Sequence, residues 1–178
     1  PDMFDKVLDI RLCWLQPEPS NAIRLETKRF CIEHGYTFHN AREHTGLMRN
    51  MTVRTASTGE VMVIVVFGSD DRPRITALLD HLVVKFPEIT SLFYIVNTKF
   101  NDSTADLDPV LYHGKDHIVE GMEGLHFKVG PKSFYQTNSA QAYELYKVAR
   151  EFAELKPDEV LYDLYTGTGT IANFCAAR

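Results

Sequence analysis

Apolar residues in this chain follow two periods, one near 3.6 and one of two, and the switches between them outline the fold. The clearest helical stripe is Ile75, Leu78, Leu79, Leu82, Val83 and Phe86, closed by Pro87. An earlier helix is predicted from about Ser20 to His34, with Ile23, Phe30 and Cys31 on one face and Gly35 as its stop. Between the two, Asn50 to Thr55 alternates as a strand should. Glu60 to Phe67 holds the longest apolar run, Val61 to Phe67, and Ala56–Gly59 is a hairpin-length link. Leu92–Val96 reads as a buried strand, and Asn97–Asp108 as a polar loop. Short strands are predicted at Val110–Tyr112, His117–Val119 and Leu125–Val129.

Two helices among short, hairpin-linked strands predict a central α+β domain over residues 1–130, with helices on one face of a largely antiparallel sheet. The character changes at Gly130-Pro131. A long helix is expected from the N-cap Asn138, carrying Ala142, Leu145, Tyr146, Ala149, Phe152 and Ala153 at helical spacing. Val160–Tyr165 then reads as a strand, Gly167 and Gly169 follow, and Ile171–Ala177 begins another helix. Strand, glycine loop and helix in this order open a parallel, Rossmann-like α/β sheet. Residues 131–178 are therefore expected to be the first strand and helix of a second domain. One such strand is no sheet, because a parallel strand needs a paired edge and two covered faces. The chain is accordingly expected to be a fragment.

Composition narrows the classes. With 44% hydrophobic and 11% aromatic residues, the 178-residue chain is neither disordered nor fibrous. Its formal charge of −5 lacks the basic footprint of a free-standing nucleic-acid binder. Three cysteines build no disulfide framework, and no apolar segment approaches a bilayer's span, so a soluble cytoplasmic protein without a membrane partner is expected. The seven histidines show no metal-ligand spacing, and no metal site is predicted from them. Arg42, Arg49 and Arg54 surround the first strand, where phosphate contacts and a solvated edge are equally open.

Asp163-Leu164-Tyr165-Thr166-Gly167-Thr168-Gly169-Thr170 carries the most chemistry. Glycines let the backbone turn sharply and approach a ligand, and a helix start presents free N–H groups. Gly167 to Ala172 also fits a dinucleotide fingerprint, which is weak alone. Asp163, four residues before Gly167, suits a cationic sulfonium and amine better than a pyrophosphate, which it would repel. S-adenosylmethionine is thus favoured, while a dinucleotide and a ligand-free turn stay open. In Ser133-Phe134-Tyr135-Gln136-Thr137-Asn138, the plain expectation is that Asn138 or Thr137 caps the helix while Phe134 packs in a core.

Read together, these two segments resemble the RNA 5-methyluridine (uracil-C5) methyltransferases of the RumA and TrmA types. The family pattern there is Ser-Phe-Phe-Gln-x-Asn, a helix, then Asp-Leu-Tyr-Cys-Gly-x-Gly-Thr. The likeness is close over Gly130–Arg178 and looser upstream, mainly at Gly46-Leu47-Met48-Arg49-Asn50. Thr166 stands where the family usually has Cys. The resemblance implies methyl transfer from S-adenosylmethionine to C5 of a uridine in RNA, with an rRNA substrate preferred. It also implies cofactor contacts from Gln136, Tyr165 and Thr170, a loop formed by Gly167 and Gly169, and Asp163 either organising that loop or meeting the methionyl amine.

The family's chemistry adds a Cys thiolate to C6 of uracil, which activates C5. The family's nucleophile and base segments do not occur in this sequence, so no catalytic residue is assigned and the chain alone is expected to be inactive. Cys31 and Cys175 are expected to be buried small groups. Cys13, in Val7–Cys13, is similar to the segment carrying the last ligand of a 4Fe-4S cluster in the RumA-like branch. That ligand role and a solitary thiol both stay open, since one thiolate cannot hold a cluster. Two other readings stand beside this one: an NAD(P)-dependent oxidoreductase, and a non-catalytic RNA- or protein-binding module in the first 130 residues.

Overall fold

The longest apolar run forms the strand at the centre of the molecule. The computed structural model describes residues 8–176. In it β2 (Val61–Phe67) is buried at every position, as befits a strand covered on both faces. On one side it pairs antiparallel with β1 (Met48–Thr55), bringing Met51 opposite Val65 and Thr55 opposite Val61. On the other it pairs parallel with β3 (Ile89–Val96), Ile64 opposite Phe93. β4 (Val110–Gly114) closes the sheet antiparallel to β3, giving the order β1-β2-β3-β4. The sheet is therefore mixed, with two antiparallel pairings and one parallel. The parallel pair follows from the connection: a parallel return needs a long crossover, and a helix lies between β2 and β3.

That helix is α2 (Arg72–Lys85). Asp71 caps it by accepting the Arg74 N–H, and Ile75, Leu78, Leu79 and Leu82 are buried as their spacing predicts. α1 (Ser20–Glu33) buries Ile23, Phe30 and Cys31. Both helices pack on one face of the sheet, against Val61, Val63, Val65, Phe67, Leu92 and Tyr94. The opposite face, formed by Met62, Ile64, Val66, Phe93 and Ile95, is covered too. There lie the hairpin of β5 (Ile118–Met122) and β6 (Leu125–Val129), then α3 (Ser139–Ala153) and α4 (Thr170–Ala176). Tyr135, Ala142, Tyr146 and Phe174 belong to this second core, which continues across Gly130-Pro131.

Gly46 shows why the looser upstream motif begins with glycine. Its φ is +114°, and a Cβ there would stand 2.3 Å from the Phe38 carbonyl oxygen. Three residues on, the Arg49 side chain turns inward and is 3% exposed. It donates to the carbonyls of Asn97 (2.7 Å), Lys99 (2.6 Å) and Asn101 (2.8 Å), and to the Asp102 carboxylate. The polar loop after β3 is ordered by this guanidinium and by buried Asn97, whose amide donates to the Asn101 carbonyl. Arg49 is thus a loop clamp, which answers the choice left open between phosphate contact and solvated edge with neither.

The expected strand over Val160–Tyr165 does not form; these residues are irregular. Val160, Tyr162, Leu164 and Tyr165 are exposed, Leu164 by 78%. The reason is the one the parallel-sheet rule gives: among the described residues no neighbouring strand offers its edge to this segment. The helix after the glycines does form, from Thr170, while Ala177 lies outside the described residues, as do Val7 of the Cys13 segment and the first six residues. Among the described residues no helix is long and apolar enough to cross a membrane.

Candidate functional site

The segment between β6 and α3 is fastened to β1 by Arg54. Its guanidinium donates to the carbonyls of Gly130 (2.9 Å) and Ser133 (2.7 Å), and burial pulls its pKa down. Ser133 closes the turn from within: its N–H donates to the Gly130 carbonyl, and its hydroxyl oxygen accepts the Gly130 N–H at 3.1 Å. Asn138 then caps α3 by accepting the Gln141 N–H at 3.0 Å, as predicted. Between these fixed points the chain alternates. Phe134 is 71% exposed and Tyr135 is buried against Phe127, reversing the expectation that Phe134 would fill the core. The larger, amphipathic ring goes inward because strand-like alternation from the Ser133 anchor leaves only one of the two facing β6.

Gln136 is exposed and lines a half-open cleft of ≈ 330 Å³ with Val53, Arg54, Glu120, Tyr135 and Thr137. Two of these residues carry chemistry that the sequence reading passed over. The Tyr135 hydroxyl is buried without a hydrogen-bond partner among the described residues, and its pKa is pushed up to about 12 by burial, with Glu120 and Tyr146 adding to it. Glu120 is 4% exposed, and its Oε1 accepts the Ser57 N–H at 2.9 Å. The signal for Glu120 was in the strand itself: Ile118, Glu120 and Met122 alternate, which puts the acid on the inward face. On the other side of the segment a wider cleft of ≈ 960 Å³ has Ile64, Val66 and Ile95 among its walls and takes in Phe134 and Lys132.

The glycine turn is built locally. The Asp163 carboxylate accepts the Thr166 hydroxyl (3.1 Å) and the Ala172 N–H (3.2 Å), so it ties the turn to the first residues of α4. The Gly169 N–H donates to the Thr166 carbonyl at 2.8 Å, and Gly167 and Gly169 take φ of +57° and +74°. A Cβ on Gly167 would meet nothing within 4 Å, so the turn leaves open space on that side. Tyr165 also has a positive φ, +64°, with its side chain fully in solvent. Thr170 is buried, its hydroxyl 2.8 Å from that of Thr168. α4 docks on α3 through Phe174, whose ring meets Tyr143 and Tyr146 and lies under Arg150.

The predicted site residues therefore fall in two places. Asp163, Tyr165, Gly167, Gly169 and Thr170 form one turn, and Gln136 lines a cleft to which none of them contributes. Cys31 is buried, with its thiol pushed up to about 12, and Cys175 is buried as well. Cys13 is half-buried, its N–H donating to Asn21 Oδ1. No group of three or more His, Cys, Asp or Glu side chains converges among the described residues, so Cys13 has no companions here with which to hold a cluster.

No family model matches the chain. It is 56% identical over its full length to an uncharacterized RNA methyltransferase of Porphyromonas gingivalis, of which it covers 39%. It is 32% identical over 97% of its length to another of Bacillus cereus, covering 38% of that protein. The chain thus spans about two fifths of the length of these relatives. Among solved structures it is similar to the tRNA (uracil-54, C5)-methyltransferase of Pyrococcus abyssi in complex with S-adenosyl-L-homocysteine. The TM-score is 0.75 at 28% identity, over 98% of this chain and 42% of that one.

Proposed function

We propose a function for a chain that belongs to the uracil-C5 RNA methyltransferase family: it supplies the cofactor-facing entry and the RNA-facing central domain of an enzyme that methylates C5 of a uridine. The observation that carries this reading is the pair of motifs at Ser133–Asn138 and Asp163–Thr170, in a chain whose fold matches that of a uracil-C5 enzyme solved with S-adenosyl-L-homocysteine. The donor, S-adenosylmethionine, supplies an electrophilic methyl group on a sulfonium. In this reading Gly167 and Gly169 form the turn that receives it, with open space beside Gly167, and Asp163 holds that turn to α4. Gln136, Tyr165 and Thr170 contact it from the helix entry and the turn.

The two motifs stand apart in the chain as described. In the proposed enzyme, Val160–Tyr165 becomes the first strand of a Rossmann-like sheet once a neighbouring strand pairs with it, and residues 131–178 form the opening of that domain after a central domain at 1–130. Pairing would bury the apolar residues now exposed there and fix the turn relative to Gln136. The wider cleft, with apolar walls and the exposed Phe134 ring, suits an unstacked base. rRNA is the substrate we favour. In this reading none of the three cysteines acts as the nucleophile, since none lies in the family's nucleophile segment, and the attacking thiolate belongs to another part of the enzyme.

The test is a chimera in which this chain replaces the matching segment of the P. gingivalis relative. Incubated with S-adenosylmethionine and rRNA or tRNA transcripts, it should form 5-methyluridine, while the chain alone should form none. Absence of 5-methyluridine from a folded chimera whose parent produces it would overturn the reading.

A further inference from the structure

The turn of the β5–β6 hairpin breaks a local rule. Met122 pairs with Leu125, so Glu123 and Gly124 alone make the connection, and both take positive φ, +46° and +80°. Positive φ at both central residues is the pattern of a type I′ turn, whose first position favours Asn, Asp or Gly. Glutamate is a strained choice there, and such strain persists only where the surrounding structure holds it. Here α3 holds it. The Glu123 carboxylate accepts the Tyr143 hydroxyl at 2.7 Å and two nitrogens of the Arg150 guanidinium, at 2.7 Å and 3.2 Å. Tyr143 and Arg150 stand two turns apart on one face of α3. The Asn or Asp that the turn would prefer is a methylene shorter than the side chain that makes these bonds.

Arg150 reaches onward from Glu123 to α4. Its guanidinium donates to the Phe174 carbonyl at 3.4 Å and lies 4.1 Å from the centre of the Phe174 ring, which is fully buried. That carbonyl is among the last four of α4, the ones a helix leaves without an internal partner. A helix of seven residues is too short to stand alone, so the place of α4 is set by what it docks on. The glycine turn in turn hangs on α4: Asp163 accepts the Ala172 N–H, and the Gly169 carbonyl accepts the Asn173 N–H. One guanidinium thus joins the hairpin upstream of Gly130 to the helix that carries the turn. We propose that Glu123 and Arg150 are positioning residues for the cofactor turn, fixing α4, and through it Asp163–Thr170, against the hairpin of the central domain. This inference rests on the cofactor role proposed for that turn. Neither residue lies in the two motifs, and neither touches the cofactor.

Two variants separate positioning from plain stability. Glu123→Asn gives the turn a residue it favours while removing the charged partner of Arg150, so the melting temperature should hold or rise. Arg150→Met keeps an aliphatic stem and a good helix former but removes the fork. In the chain itself, both should speed hydrogen exchange at the Ala172 and Asn173 amides by about fivefold, the upper end for a partly exposed ion pair, while exchange in β2 stays as it was. In the chimera, both should raise KM for S-adenosylmethionine by a similar factor and leave KM for the RNA alone. Arg150→Lys, with a charge but no fork, should restore part of the loss. A merely structural brace would lower kcat at every cofactor concentration and leave KM intact. Unchanged exchange at α4 in both variants, or a KM for S-adenosylmethionine equal to the parent's, overturns the positioning role. Faster exchange at α4 with a parent chimera that forms no 5-methyluridine removes it too, through failure of the proposed enzyme and not of the Glu123–Arg150 pair.

Discussion

The β1–β4 sheet and the stretch from Leu155 to Thr170 each carry an apolar run, and the two runs meet opposite fates. Val61–Phe67 and Val160–Tyr165 both read as strands, yet the first is buried at all positions and the second is exposed at nearly all. The difference is company. β2 has β1 and β3 at its edges, two helices on one face, and the β5–β6 hairpin with α3 on the other. The later segment has no strand partner among the described residues, and an apolar sequence cannot supply one. The glycine turn beside it nonetheless forms, because its bonds run from Asp163 to Thr166 and Ala172, all within the same short stretch. Turn chemistry is local, whereas strand formation is a property of neighbours.

The sharpest way to break this comparison is to put the same charge in both regions. Val63→Asp would bury a carboxylate at a fully hidden position, costing on the order of 4–5 kcal/mol, much of a domain's total stability. Leu164→Asp, on an exposed side chain, should stay within about 0.5 kcal/mol. Thermal unfolding of the two variants decides it, and comparable losses would mean that the later segment is packed after all.

Arg49→Ala comes next. The truncation strips the Asn97 and Lys99 carbonyls of their partner, so we expect a loss of about 2–3 kcal/mol. Arg49→Lys should recover only part of it, since an ammonium lacks the guanidinium's fork. Denaturant titration of both variants checks this, and a neutral Arg49→Ala would remove the clamp from the account. Asp163→Ala should act only locally. Hydrogen exchange at the Ala172 amide should speed up while the global melting point stays put.

The smallest expected effect is on acid stability. Arg29 and then His81 hold the Glu26 carboxyl down to about 2, against an ordinary 4.5. A depressed carboxylate pKa stabilises the fold above the unfolded value, and that stabilisation drains away as pH falls from about 4.5 toward 2. Glu26 lies near the surface, so the effect is modest. Glu26→Gln should flatten the stability–pH curve in that window, and an unchanged slope would show that other groups set it.

Much of the fold was legible because its signals are local. The α2 stripe, the Asn138 cap and the continuous run of β2 each announce their own structure. The parallel β2–β3 pairing was less visible, since only the intervening helix hints at it. The inward turn of Arg49 and Arg54 could not be read at all: their partners are backbone carbonyls 48 to 79 positions away. At the candidate site the turn was legible and its relation to Gln136 was not, because that relation depends on a strand without partners here. Phe134 and Tyr135 exchanged places because two adjacent aromatics cannot both face inward, and composition does not choose between them.

The most direct test of the central claim, that Gln136 and the glycine turn serve one cofactor, is S-adenosyl-L-homocysteine binding by the chimera. Calorimetry would compare the parent chimera with Gln136→Ala and Gly167→Val. Gln136→Ala should weaken binding several-fold, the worth of about one hydrogen bond, without altering the melting temperature. Gly167→Val should weaken it further, because a branched side chain is strained at φ +57° and enters the space the turn leaves open. Undiminished affinity in both variants would contradict the account, leaving Gln136 a helix-entry residue and the glycine turn a structural bend.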